Sequence, residues 1–268
     1  MSNTYLVSDL LHSARLCNTS YRPPRAAQDE FFWFTPDCQY IHHVSVDHHR
    51  AFLLEFGDRC ELILNGRLHL SDFLQQYPHP KLVDASFGNC KLYEFFSEDA
   101  ERLLCELLSF QDALSMPLHL HGHSLGGSLA ALVAVHLQRS GHDVSQATVF
   151  GAVRPGDSAF QQVQQSLGLD DRTLKVRFAG QHASAVPSLL LKSLRPTASE
   201  PKTGRSGVYL SLQNNRITLS LKANQWSQVR SSTTLNSIGQ TLQAFKMPGT
   251  ESVQRYVQSL EHLLSRTA

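Results

Sequence analysis

The run Leu118-His119-Leu120-His121-Gly122-His123-Ser124-Leu125-Gly126-Gly127-Ser128-Leu129-Ala130 narrows the possible folds more than any other stretch of the chain. Its first part reads as a short strand with Leu118 and Leu120 on one face. Leu125, Leu129, Leu132, Val133, His136 and Leu137 then recur at helical spacing. Between strand and helix stands Gly122-x-Ser124-x-Gly126, the pattern of a nucleophile elbow. A strand that turns abruptly into a helix strains the backbone at the serine. Side chains two residues to either side would collide, so glycine is required at both places. The serine oxygen is expected above the sheet edge. The helix N-terminus beneath it favours the negative charge that develops in acyl transfer.

The rest of the chain sets bounds. Its 268 residues suit a single α/β domain, read here as 1–268. Such a chain buries enough surface to need no staples. The net charge of +1 gives no electrostatic case for nucleic acid as a partner. Cys17, Cys38, Cys60, Cys90 and Cys105 are odd in number and lack C-x-x-C spacing, which points to reduced thiols and a cytoplasmic location rather than a disulfide framework. Met1 to Leu11 lacks a basic region followed by a long apolar core, so no signal peptide is read. No apolar run is long enough to span a membrane.

Taken in order, residues 4–17 read as an amphipathic helix that faces Leu6, Leu10, Leu11, Ala14 and Cys17 inward. Arg22-Pro23-Pro24-Arg25 ends it, and Phe31-Phe32-Trp33-Phe34 follows, read as core packing with an acyl-binding surface as the alternative. Residues 39–46 and 51–56 form a hairpin across Asp47-His48-His49-Arg50. His42 and His43 lie on adjacent strand positions and point to opposite faces, so one metal ion cannot readily take both. Residues 59–70 read as a second hairpin turning at Asn65-Gly66. The mixed segment 71–96 suits a lid or a pocket wall. Ser97 is a good N-cap for a helix running to about Leu114.

Beyond the elbow helix, Ala147 to Gly151 reads as a buried strand, Asp157 to Leu167 as a helix and Leu174 to Phe178 as the next strand. Residues 179–187 form the loop leaving it, and the polar stretch 195–206 reads as a mobile loop. Val208–Leu212 and Ile217–Leu221 make a hairpin, and a final helix runs from about Ser252 to Ser265. This alternation implies a mainly parallel central sheet with helices on both faces and active groups at the carboxyl ends of its strands.

Three blocks carry a resemblance. The elbow run is similar to the nucleophile block of the class 3 (fungal-type) lipases. Val149-Phe150-Gly151-Ala152-Val153-Arg154-Pro155-Gly156-Asp157-Ser158-Ala159-Phe160 resembles the block that follows it in that family, and Val186-Pro187 resembles the block that carries the family's acid. The resemblance implies an α/β-hydrolase fold and hydrolysis of lipid or other carboxylic esters, with no cofactor. It places the nucleophile at Ser124 and one oxyanion-hole amide at Leu125. It places the family's acid at Ser184 and its histidine at Glu251. The second oxyanion donor falls in Phe56-Gly57-Asp58, at Asp58.

Three of these chemical positions depart from the family pattern. A neutral serine hydroxyl needs an adjacent base. His182 lies in the loop carrying Ser184 and is one candidate; Glu251 is another, and His121 and His123 flank the serine. His262 sits in a helix expected to face it outward. Two functions follow: a lipase-like serine hydrolase with an atypical triad, or a catalytically impaired pseudo-hydrolase that keeps the fold to bind an acyl ligand or a protein. Metal-dependent hydrolysis is a minor third reading, because the histidines are scattered.

Overall fold

The computed structural model describes residues 3–46, 49–66, 81–178, 207–213, 216–222 and 249–265. Two helices open the chain, α1 (Asn3–Thr19) and α2 (Pro24–Phe34). Three strands follow, β1 (Tyr40–Val46), β2 (His49–Glu55) and β3 (Cys60–Gly66). A two-stranded ribbon, β4 (Leu82–Asp84) and β5 (Lys91–Tyr93), leads into α3 (Glu94–Leu107). A 3-10 turn (Leu108–Phe110) and α4 (Gln111–Leu114) precede β6 (Leu118–His123). Then come α5 (Leu125–Arg139), β7 (Val144–Phe150), α6 (Ser158–Ser166), α7 (Leu169–Arg172) and β8 (Thr173–Phe178). The remaining described elements are β9 (Gly207–Gln213), β10 (Arg216–Lys222) and α8 (Gly249–Ser265).

Eight strands form one sheet in the order β1-β2-β3-β6-β7-β8-β9-β10. From β3 to β9 the neighbours are parallel, and both flanks are antiparallel. Side chains alternate between the two faces of a strand. On one face Leu62 and Leu64 of β3 and Leu118 and Leu120 of β6 join α3 and α5 in the main apolar core. On the other face Phe150 and Val176 pack with α1 and α8, and Phe52, Leu54 and Ile63 pack with α2. This is the α/β-hydrolase arrangement, with helices on both faces of a mainly parallel sheet.

Local chemistry accounts for several element boundaries. The Asp157 carboxylate accepts from the amides of Ala159 and Phe160 and so caps α6. Pro24 stands at the first position of α2, where its missing N–H costs nothing and its fixed φ suits the helix. The prolines therefore start a helix as well as ending one. Phe31–Phe34 lies in that helix, and its side chains divide: Phe31 is fully buried against Phe52, whereas Trp33 is 83% exposed.

Four expectations change. His49 and Arg50, expected in the first hairpin turn, belong to β2 and pair with Val46 and Ser45 of β1. Asn65-Gly66 is no turn; β3 continues through both residues, paired with Arg50 and His49 of β2. The helix expected from Ser97 begins at Glu94 and ends at Leu107, so Ser97 lies inside it. The stretch to Leu114 is broken into the 3-10 turn and α4. Residues 67–70 and the polar stretch 195–206 lie outside the described residues.

Candidate active site

The elbow is present as a strained turn. Ser124 has φ 55° and ψ −122°, and among the described residues it is the one non-glycine residue with positive φ. Its amide donates to the Phe150 carbonyl at 2.9 Å, which ties the turn to β7. Its carbonyl accepts from the amides of Gly127 and Ser128 in the first turn of α5. A Cβ at Gly122 would lie 2.5 Å from the Gly126 carbonyl oxygen, and one at Gly126 would lie 2.2 Å from the Leu64 carbonyl oxygen. Neither contact is survivable, so backbone approach enforces both glycines.

Leu125 opens α5, so its N–H has no acceptor within the helix and sits at the positive end of the helix dipole. This is the placement expected of an oxyanion donor. Asp58 does not share it. Asp58 precedes β3, whose first residue Cys60 pairs with Leu118, while Asn65 at the other end pairs with His123. Asp58 therefore lies at the amino end of the parallel strands, about 20 Å from the elbow at about 3.3 Å per residue. There it pairs with Arg59 at 3.1 Å. The strand end that touches the elbow is Leu64-Asn65-Gly66. Reading Asn65-Gly66 as a turn hid it.

His121 and His123 share the strand face opposite α5. His123 is buried, with its Nδ1 2.9 Å from the Tyr21 hydroxyl and its ring 6.2 Å from that of Tyr256. Burial pushes its pKa down to about 3, so the imidazole is neutral. Its Nδ1 is engaged below the elbow by Tyr21, a residue that sequence reasoning missed. His121 lies one turn of the pleat further from the serine, its Nε2 3.7 Å from Glu61. Burial pushes its pKa down to about 4. His12 reaches the same carboxylate at 2.8 Å, and Arg59 at 3.0 Å. Burial raises the Glu61 pKa, but the His12 hydrogen bond and the positive charge around it prevail and bring it to about 2. Nothing in the strand pattern announced this buried charge.

His182 and Ser184 lie outside the described residues. Glu251 is the third residue of α8, and its side chain is likewise outside them. The course of that helix is clear. Arg15 of α1 pairs with Glu261, and Tyr21, beyond the end of α1, meets His123, over which Tyr256 also packs. Hence α8 runs antiparallel to α1, and its Glu251 end lies at the carboxyl end of the sheet, the end that carries Ser124. His262, near the other end, is exposed as expected.

His42 and His43 point to opposite faces, the first tilted over Phe110 and the second over Phe52. Among the described residues no group of three or more His, Cys, Asp or Glu side chains is arranged to hold a metal ion. His49 and Asp99 form a further buried pair, 2.6 Å apart, which sequence spacing did not signal.

The lipase (class 3) family model matches residues 59–182, from the start of β3 through the elbow and β8. Residues 59–182 are thus similar to the lipase (class 3) family. The matched region holds Ser124, Leu125, His182 and the strand end that abuts the elbow; Ser184 and Glu251 fall outside it. Among solved structures, a lipase from Rhizopus microsporus var. chinensis is similar, with TM-score 0.63 and 16% identity over 82% of this chain and 78% of that one. The Rhizomucor miehei triacylglyceride lipase gives 0.61 and 18% identity over 88% and 94%. A triacylglycerol lipase from Penicillium expansum gives 0.53 and 15% over 85% and 88%. At these identities the likeness is one of fold, and it extends the lipase architecture across most of the chain. No curated protein matches. Among the described residues no helix is long and apolar enough to cross a membrane.

Proposed function

We propose that this protein is a lipase-like serine hydrolase that cleaves lipid or other carboxylic esters through Ser124. The observation that carries the reading is the strained Ser124 backbone at the start of α5, held by backbone-to-backbone contacts at Gly122 and Gly126. Strain of this kind costs about 1–3 kcal/mol and persists where a site uses it. Ser124 Oγ attacks the ester carbonyl, its proton passes to a base, and the alcohol leaves with a proton. Water then releases the acid from the acyl-serine by the same route. The Leu125 amide and the α5 dipole stabilise the oxyanion in both steps.

The base and its partner belong to this proposal. His182 is the imidazole assigned to the task, with Ser184 beside it in sequence at the family's acid position. Glu251 stands at the family's histidine position and is the second candidate. A Ser184 hydroxyl can orient an imidazole but cannot stabilise its charge as a carboxylate does, so slower turnover than that of a complete triad is expected. Reduced thiols and a cytoplasmic setting complete the proposal, and all five cysteines are unpaired.

The test is hydrolysis of short- and medium-chain nitrophenyl esters by the protein and by Ser124→Ala, together with labelling by a serine-directed phosphonate. Turnover and labelling that vanish in the variant support the hydrolase. Equal background rates in both would remove it and leave a pseudo-hydrolase that binds rather than cleaves. Loss of turnover in His182→Ala but not in Glu251→Gln would assign the base.

A further inference from the structure

The pair His49–Asp99 lies at the catalytic end of the sheet and has no part in the chemistry above. His49 opens β2 and pairs with Gly66, the last residue of β3. Gly66 in turn lies against the elbow: a Cβ there would sit 2.7 Å from Leu125 Cβ and 3.1 Å from the Gly126 nitrogen. The β3 terminus is therefore packed between the strand that His49 begins and the first turn of α5.

Strand alternation puts His49 on the face of Ala51 and Leu53, the face covered by α3 and α5. Across it Asp99 of α3 approaches His49 Nε2 at 2.6 Å, with side chains only 7% and 18% exposed. A carboxylate can only accept, so Nε2 carries the proton and donates to it. His49 Nδ1 is buried with no hydrogen-bond partner. An apolar side chain would fill this place in the core without leaving a buried nitrogen unpaired, and buried polar groups left in that state call for an explanation.

We propose that His49, held by Asp99, is a positioning residue that fixes the β3 terminus against Leu125 and thereby sets the Leu125 amide relative to Ser124. The inference rests on the reading of Ser124 as nucleophile. Misplacement of a reacting group by about 1 Å can cost 10²-fold in rate, so a brace one strand away is enough to matter.

The experiment measures the phosphonate labelling rate of Ser124, ester kcat and KM, and thermal unfolding for the protein, His49→Leu, His49→Gln and Asp99→Asn. His49→Leu keeps apolar bulk but cannot bond Asp99. It should stay folded, label at least about tenfold more slowly and lose kcat with little change in KM, the pattern of an interaction made in the transition state. His49→Gln places an amide donor near the original Nε2 and should recover most of the rate. If His49→Leu does not fold, Asp99→Asn carries the test and should slow labelling in the same direction. Labelling of folded His49→Leu, or of Asp99→Asn in its stead, at the unmutated rate overturns the positioning role and leaves the hydrolase intact. No labelling of the unmutated protein removes the Ser124 reading itself, and this inference with it.

Discussion

The Tyr21 hydroxyl lies 2.9 Å from Nδ1 of His123, so the chain just past α1 is joined to the residue immediately before the elbow serine. Burial raises the Tyr21 phenol and depresses the His123 imidazole, which leaves a neutral pair beneath a strained turn. Replacement of Tyr21 by Phe removes this hydrogen bond from the buried ring. Stability should fall by about 1–3 kcal/mol in urea denaturation. A change below about 0.5 kcal/mol would mean that the nitrogen finds another partner.

The buried histidines set an acid limit. His121 and His123 have folded-state pKa values of about 4 and 3, below the ordinary value of 6.5. The unfolded chain therefore takes up protons first as pH falls. Stability is complete above about pH 6.5 and is lost progressively down to about pH 4 and 3, by up to about 1.4 kcal/mol per pH unit for each ring. Glu61 adds a further loss between its ordinary 4.5 and about 2. Urea midpoints compared at pH 7.5 and 5 should differ clearly, and His121→Gln should flatten the dependence. A profile unchanged by that substitution would remove His121 as a contributor.

Gly126→Ala drives a methyl group to 2.2 Å from the Leu64 carbonyl oxygen. Backbone on both sides must move, and the cost should reach at least about 2–3 kcal/mol, the upper range for overpacking. Circular dichroism melts should show it, and phosphonate labelling of any folded fraction should be lost.

Ser124→Gly should act in the opposite sense. Glycine adopts φ 55° freely, so relief of strain should raise stability by about 1 kcal/mol while abolishing turnover. A lower melting temperature in the variant would argue against stored strain at this residue.

The aromatic run of α2 should divide under mutation. Phe31 is fully buried, and Phe31→Ala should cost about 3–5 kcal/mol. Trp33 is 83% exposed, and Trp33→Ala should stay within about 0.5 kcal/mol of neutral. Equal losses at the two positions would contradict the observed burial.

These residues also mark what could be read in advance. The elbow was legible because two backbones cannot pass at Gly122 and Gly126 unless both lack side chains, and such a constraint writes itself into residue identity. The helical spacing after Ser124 and the strand at 147–150 were legible from periodicity. Asn65-Gly66 misled because local turn chemistry and close tertiary approach select the same residue. Gly66 is small because Leu125 lies against it, a contact nearly sixty positions away. Asp58, expected near the elbow, stands beyond the other end of the same strand, where Cys60 pairs with Leu118. Pro24 was read as a terminator, although at the first position of a helix it is also an initiator. The His49–Asp99 and Glu61–His12 pairs left no trace in spacing, since each joins a strand to a helix far away in sequence.

The amide of Ser124 is satisfied by Phe150 in β7, and the carbonyl of Leu64 in β3 closes on Gly126 from the other side. Both neighbours of β6 must therefore be docked before the turn can hold its shape. β3 finishes about fifty residues before β6 begins, and such a span slows the closing of non-local contacts. The elbow thus belongs to the late stage of assembly. A nascent chain that has emerged only through α5 carries every residue of the motif but lacks the β7 carbonyl that holds it, so the shape of the turn comes with the completed sheet rather than with its own segment.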